Sequence, residues 1–205
     1  MHELRLGFLS SHSGTNMQAI FDAVLAGRLK AELSVVISNN ANSTTFERAK
    51  RYCIPWKHLS SKTHSNADDL DRAILTTLSE HDVNLVILAG YMKRLGPKTI
   101  NHFKNKILNI HPALLPKFGG KGMHGKYVHE AVLASGDKVT GVTIHIVDED
   151  YDRGPVVAQR KVSILEGDTA TSLADRVLKI EHKLYSDTIQ KISEGSIVMN
   201  RFSPR

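Results

Sequence analysis

A chain of 205 residues with 41% apolar and 23% charged residues has the make-up of an ordinary folded protein, one large domain or two small ones, with enough apolar side chains for a real core. No apolar run approaches the roughly 20 residues of a bilayer-crossing helix, and the apolar part of "MHELRLGFLSSHSG" is too short and too soon broken for a secretory leader, so the expected location is the cytoplasm. The formal charge of +6 favours anionic ligands, but the basic residues are scattered and only 6% of the chain is aromatic, so nucleic-acid binding gains no support.

Residues 5–10, "RLGFLS", read as a strand. A helix over 16–26 follows, with Met17, Ile20, Phe21 and Val24 at helical spacing and Gly27 as its stop. "ELSVVIS" is a second strand and "STTFERAKRYC" a helix. Cys53, the single cysteine, excludes an internal disulfide and a cysteine-based zinc site, and reads as a packed bystander. Ser65 to Glu80 is a helix with Leu70, Ile74 and Leu78 on one face and acidic residues near its start, where the helix dipole favours them. "NLVILAG", 84–90, is continuously apolar, as suits a strand buried on both faces of a parallel sheet, and "KILNI" is the next strand. "TGVTIHIVD" alternates with period two and "PVVAQRKVSI" lies close after it, so the two read as a strand pair extending the sheet. A long helix starts at Asp168 or Thr169, with Leu173, Val177, Ile180 and Leu184 as its core stripe, and the end of the chain reads as a loose tail. The alternation predicts the α/β class: a single-domain, doubly wound, mostly parallel sheet with helices on both faces.

Ligands of such sheets collect beyond the carboxyl ends of the parallel strands. "SSHSGTNMQAI" leaves the first strand there and opens a helix, so Gly14, Thr15, Asn16 and free amides form an anion site or an ordinary capped turn. The stretch has neither a dinucleotide nor a nucleoside-triphosphate motif. "LAGYMKRLGP" exposes Tyr91, Met92, Lys93, Arg94 and Leu95, either as a solvated turn or as a pocket wall. In "LNIHPALLPKFGG", Asn109 and His111 project to one side of an extended strand, so an amide donor and an imidazole can grip one developing oxyanion; an isolated histidine there would be structural. Pro112 and Pro116 stiffen the loop beyond the strand, and the glycine-rich stretch within 119–129 is a candidate lid or a plain loop. "DEDYDRGP" carries Asp148, Glu149, Asp150 and Asp152; one of these carboxylates can pair with His111 and raise its pKa. Glu181 falls within the core-facing arc of the last helix and demands a partner, whereas His182 reads as outward-facing.

These residues resemble a known family. "NIHPALLPKFGG" succeeded about forty residues later by "DEDYDRGPVV" is similar to the signature of the folate-dependent formyltransferases, and "SGTN", "LVILAGYMKRL" and "EHKLY" narrow the likeness to the branch acting on glycinamide ribonucleotide. The resemblance covers about residues 4–192 and implies a Rossmann-like formyltransferase domain over 1–195 with a C-terminal tail over 196–205. It implies Asn109, His111 and Asp152 as the catalytic trio, with Asp152 chosen because it directly precedes "RGP". By the same likeness Gly14, Thr15 and Asn16 hold a substrate phosphate, Glu181 meets the substrate amine, and Met92, Lys93, Arg94, Leu95, Asp148, Glu149, Asp150 and Tyr151 enclose the folate.

The chain departs from the family pattern at His12, where glycine is usual, and at Thr15, which keeps the hydroxyl of the usual serine. A basic residue for the phosphate has no clear match, Lys62 and His64 being the nearest; His124 or His129 would line the entrance. The implied reaction is direct formyl transfer from 10-formyltetrahydrofolate, as cosubstrate, to the amine of glycinamide ribonucleotide in purine synthesis. It needs no metal and no covalent intermediate, with protonated His111 and Asn109 stabilising the oxyanion. The implied partners are these small molecules, without nucleic acid or membrane, for a monomer or homodimer. The alternative is a formyltransferase acting on a nucleotide-linked amino sugar.

Overall fold

In the computed structural model, which describes residues 3–202, the apolar runs become the strands of one seven-stranded sheet ordered β3-β2-β1-β4-β5-β6-β7. The elements are β1 (Leu4–Ser10), α1 (Thr15–Leu25), β2 (Ala31–Ser38), α2 (Thr44–Arg51), β3 (Trp56–His58), α3 (Ala67–Glu80), β4 (Leu85–Leu88), α4 (Pro97–His102), β5 (Ile107–His111), α5 (Lys126–Ala134), β6 (Val139–Ile146), β7 (Val156–Ser163) and α6 (Ala170–Ser193). Strands β1 to β5 are parallel, whereas β6 runs antiparallel to β5 and β7 antiparallel to β6. The chain winds outward from β1 through β2 to β3, then returns to begin the other half at β4. Beyond the carboxyl ends of β1 and β4 lies the crevice that such a reversal creates.

Burial follows from the sheet's two faces. Leu6, Phe8, Leu108, Ile110, Val142 and Ile144 pack with α1 and α6 residues such as Phe21, Leu173, Val177 and Tyr185. Leu9, Val86, Leu88 and Ile107 pack with Ile74 and Leu78 of α3 and Ile100 of α4. Along α6, Leu173, Val177 and Leu184 are buried as the spacing predicts, Ile180 is half-buried, and Tyr185 and Ile189 extend the stripe. The helix starts at a capping box between Thr169 and Ser172. Helix α3 lies close on β1 because residue 7 is glycine: a Cβ there would sit 2.6 Å from Leu78 Cδ2 and 2.9 Å from the Val83 methyls.

The structure adds three elements to those predicted. β3 is three residues long and largely exposed, α4 begins at Pro97, and α5 begins at Lys126, so the glycine-rich loop ends at Gly125. Cys53 is exposed and has φ 55°, so it is not a packed bystander. Met199–Arg201 form a 3-10 turn and Met199 and Phe202 pack against the core; residues 203–205 of the expected tail lie outside the described residues. Among the described residues no helix is long and apolar enough to cross a membrane.

Candidate active site

Strand pairing assembles the centre of the site. Asn109 and His111, two apart on β5, share one face, and β6 sets His145 opposite Asn109 and Thr143 opposite His111. Asn109 Nδ2 lies 3.1 Å from His145 Nε2, and His145 Nδ1 lies 2.9 Å from the Ile146 carbonyl. A carbonyl only accepts, so Nδ1 carries the hydrogen and Nε2 accepts from the Asn109 amide. One N–H of Asn109 is thereby fixed and the other is directed away from His145.

His111 is 3% exposed. Its Nε2 donates to the Phe118 carbonyl at 2.7 Å, and its Nδ1 is 3.6 Å from Asp152 Oδ2, longer than a hydrogen bond. Asp152 accepts from the Gly120 amide at 2.9 Å, and its other oxygen is 3.4 Å from His145 Nε2. The loop after β5 therefore touches both catalytic candidates, through the Phe118 carbonyl and the Gly120 amide. Burial pushes the Asp152 carboxyl up, but the His145 and His111 rings whenever they carry a second proton, together with the Gly120 amide, hold it below the usual carboxylate value. For His111 burial dominates: Asp152 and the Phe118 carbonyl pull its pKa up, yet the net shift is downward. The sequence-based expectation of a raised His111 pKa is thus reversed, because closing the ring off from water disfavours its charge more than one carboxylate at 3.6 Å favours it.

A cleft of about 750 Å³ opens beside these groups. Asn109, His111 and Asp152 line it together with Asn16, Met92, Tyr151 and Glu181. Elsewhere in this lining Asn16 Nδ2 donates to Glu181 Oε2 at 2.6 Å, which supplies the partner that the buried carboxylate demanded. Burial raises the Glu181 pKa and the Asn16 bond partly offsets this. Asn16 Oδ1 is buried and unpaired within the described residues. His129, on the first turn of α5, also lines the cleft; burial and then the nearby His111 lower its pKa. His182 is half-buried rather than outward-facing, and burial lowers its pKa too.

Helix α1 begins at Gly14, which has φ 61° and no side-chain cap, leaving the first amides open. A side chain at residue 14 would be strained by that φ and would meet Thr45 Cγ2 at 2.4 Å, so glycine is required twice over. Arg48 is a cation bonded to this loop, its side chain donating to the Ser13 carbonyl at 2.9 Å; of the two sequence guesses, Lys62 gives only its backbone amide, to Ser60 Oγ, and His64 Nδ1 meets the neighbouring Thr63 hydroxyl. His12 is exposed and holds α2 through its backbone, its carbonyl accepting from Ser43 Oγ at 2.7 Å.

Other expected folate contacts are placed less centrally. Leu95 turns into the core beside α3 and α4, while Lys93 and Arg94 are exposed, Arg94 donating to the Glu149 carbonyl. Asp148 is half-buried and Glu149 and Asp150 are exposed, all outside the cleft lining, as are Gly14 and Thr15, which directly precede Asn16 in the chain. His145 is the residue that sequence reasoning missed: it hides in the alternation of "TIHI", and only its pairing with Asn109 reveals it. Among the described residues no group of His, Cys, Asp and Glu is arranged to hold a metal ion.

Comparison with known proteins bears on the family and the fold. A formyl transferase family model matches residues 4–189. The chain is 38% identical to a phosphoribosylglycinamide formyltransferase of Haemophilus influenzae over 94% of its own length and 89% of that protein's. It is 39% identical to a chloroplastic phosphoribosylglycinamide formyltransferase of Vigna unguiculata over 96% of its length, and spans 63% of that relative, less than two thirds. The crystal structure of glycinamide ribonucleotide transformylase 1 from Symbiobacterium toebii superposes with a TM-score of 0.90 at 39% identity, covering 96% of this chain and 91% of that one. A match running nearly end to end, over the strand that carries Asn109 and His111 and the turn that carries Asp152, means that the chain belongs to the formyl transferase family.

Proposed function

We propose that the chain transfers a formyl group from 10-formyltetrahydrofolate to the amine of glycinamide ribonucleotide. The observation that carries this reading is the cleft itself, whose lining joins an amide–imidazole–carboxylate set to a buried carboxylate. Its volume lies in the roughly 300–1,000 Å³ range of small-molecule sites. Tyr91, Met92, Pro112 and Met123 offer an apolar wall for a ring system, and the open N-terminus of α1 beside Asn16 suits a phosphate.

In the proposed reaction the amine nitrogen bonds to the formyl carbon and the carbonyl electrons move to oxygen. The free N–H of Asn109 faces that oxyanion. The resting His111 ring is neutral, with hydrogen on Nε2 and a lone pair on Nδ1. Negative charge on the oxyanion favours protonation of Nδ1, so the ring gains a proton, and becomes a charged donor, as the amine sheds one. Asp152, held ionised, stabilises the imidazolium. Collapse of the intermediate breaks the carbon–nitrogen bond to the folate, whose nitrogen takes up one proton, so protons balance. Glu181 accepts from the amine and orients it.

The test is a spectrophotometric assay with a 10-formyl folate, run with and without glycinamide ribonucleotide. Deformylated folate forming only with the amine present supports the transferase. Equal product in the blank means hydrolysis by water, and no product in either arm rejects the proposal.

A further inference from the structure

The catalytic groups do not hold themselves in place; the segment after β5 does. Its carbonyl at Phe118 takes the His111 Nε2 hydrogen and its amide at Gly120 donates to Asp152. Gly119, between them, lies against Leu115: a Cβ on Gly119 would be 2.5 Å from Leu115 Cδ2 and 3.2 Å from Asp152 Cβ. Leu115 is therefore the seat on which residues 118–120 rest.

Leu115 is itself gripped from the sheet. Its N–H donates to Thr143 Oγ1 at 3.0 Å, and its carbonyl accepts from Gln159 Nε2 at 3.0 Å. Gln159 Nε2 also donates to Thr143 Oγ1 at 2.9 Å, and that hydroxyl gives its own hydrogen to the Ala113 carbonyl at 2.6 Å. Register explains the convergence: Thr143 pairs with His111 on one side and with Gln159 on the other, so all three side chains stand on one face in one row. The segment lies flat because residue 141 has no side chain; a Cβ there would meet Leu114 Cδ2 at 2.4 Å.

We propose that Gln159, acting with Thr143 through Leu115, is a positioning residue for His111 and Asp152. It touches no reacting atom. It fixes the height of residues 113–115 above the sheet, and thereby where the Phe118 carbonyl and Gly120 amide meet the catalytic side chains. The donor is the essential part: methionine has nearly the same length and fills the same space but gives no N–H to Leu115. The catalytic meaning of this clamp rests on the proposed function, but the clamp itself can be read without substrate.

The experiment compares the wild-type chain with Gln159→Met, Thr143→Val and Thr143→Ser. The first readout is the ring ¹⁵N NMR of the ligand-free protein, His111 being identified by the signal lost in His111→Ala. Wild type and Thr143→Ser should show a single tautomer with hydrogen on Nε2; Gln159→Met and Thr143→Val should show averaging between tautomers. The second readout is kinetic: a loss of about tenfold in kcat for Gln159→Met, the rate equivalent of one hydrogen bond of about 1.4 kcal/mol, with both KM values within about twofold of wild type. Thr143→Ser should stay near wild type. An unchanged His111 spectrum in folded Gln159→Met overturns the clamp, whatever the activity. A lowered Tm with the His111 signal and kcat unchanged also overturns it, because Gln159 then only stabilises the fold. Should Thr143→Val fail to fold, the exposed edge-strand position of Gln159 still allows its variant to decide. If the wild type itself transfers no formyl group, the functional proposal fails and the NMR result still judges the clamp.

Discussion

The Asn109 amide is locked by His145: nitrogen faces nitrogen at 3.1 Å across the β5–β6 pair, and the backbone carbonyl of Ile146 sets which of them gives the hydrogen. His145→Ala would free the amide to rotate, so the expected result is a fall of about tenfold in kcat with the KM values little changed. Asn109→Ala, which removes the proposed oxyanion donor itself, should cost on the order of 10²–10³ in kcat. Steady-state kinetics of the two variants check the order; equal losses would mean that His145 contributes more than orientation.

Asp152 and His111 are coupled through charge. Asp152 is one of the groups that keep the His111 pKa from falling further under burial. In Asp152→Asn that support is gone, so the His111 pKa moves lower still and the ring resists taking the proton that the proposed reaction offers. The expected outcome is a large loss of kcat together with a shift of the His111 titration to lower pH. NMR titration of His111 in both proteins measures the shift, and a shift to higher pH would contradict the assigned pairing.

Stability should depend on pH through the buried histidines. Burial lowers the pKa of His111, His129 and His182 from the ordinary value of 6.5. Each group binds its proton less readily folded than unfolded, so the unfolded chain takes up more protons as pH falls. Their contribution is fully present above 6.5 and is lost as pH drops through the unfolded value toward the folded ones. Glu181, raised by burial, works in the opposite sense at lower pH, since its neutral form is favoured when folded. Thermal melts between about pH 7.5 and 5.5 should show Tm falling, and His129→Asn should flatten the slope.

Asp71 is 3% exposed and caps a helix that is not its own. From α3 its carboxylate accepts from the amides of Lys98 and Thr99, at 2.7 and 3.1 Å, and from the Thr99 hydroxyl at 2.6 Å. Gly96, the N-cap of α4, cannot serve this role, and a Cβ there would lie 2.2 Å from Asp71 Cγ. Asp71→Ala leaves these donors unsatisfied and should lower stability by about 2–3 kcal/mol in urea unfolding. Gly96→Ala should also destabilise, through the steric clash.

How far the sequence reaches depends on the range of the interactions involved. The long elements are legible because their side-chain periodicity is local: Met17, Ile20 and Phe21 on α1, the run over 85–88, the stripe from Leu173 to Leu184. β3 escapes because Trp56, Lys57 and His58 pair only with β2 and bury no face that alternation could mark. α4 escapes because it is six residues long and its cap comes from Asp71, 27 residues away from Lys98. α5 is masked by the glycines before it, although Val128 and Val132 are fully buried at helical spacing. In the site, Asn109, His111 and Asp152 stand out by motif, whereas His145 and Gln159 acquire meaning only from the antiparallel register. The direction of the His111 pKa shift is unreadable for the same reason: a carboxylate neighbour can be inferred from sequence, but the loss of water around the ring cannot.

Gly7 constrains how this chain can vary. Its missing side chain is the space that Leu78 and Val83 occupy, at 2.6 and 2.9 Å from where a Cβ would be. Positions 7, 78 and 83 are thus one volume shared among three residues. Among variants selected for folding from a library randomised at all three, alanine or larger at 7 should be found with shorter side chains at 78 or 83. The three positions should therefore drift together through sequence space, linking a strand under the crevice to the helix that carries Asp71.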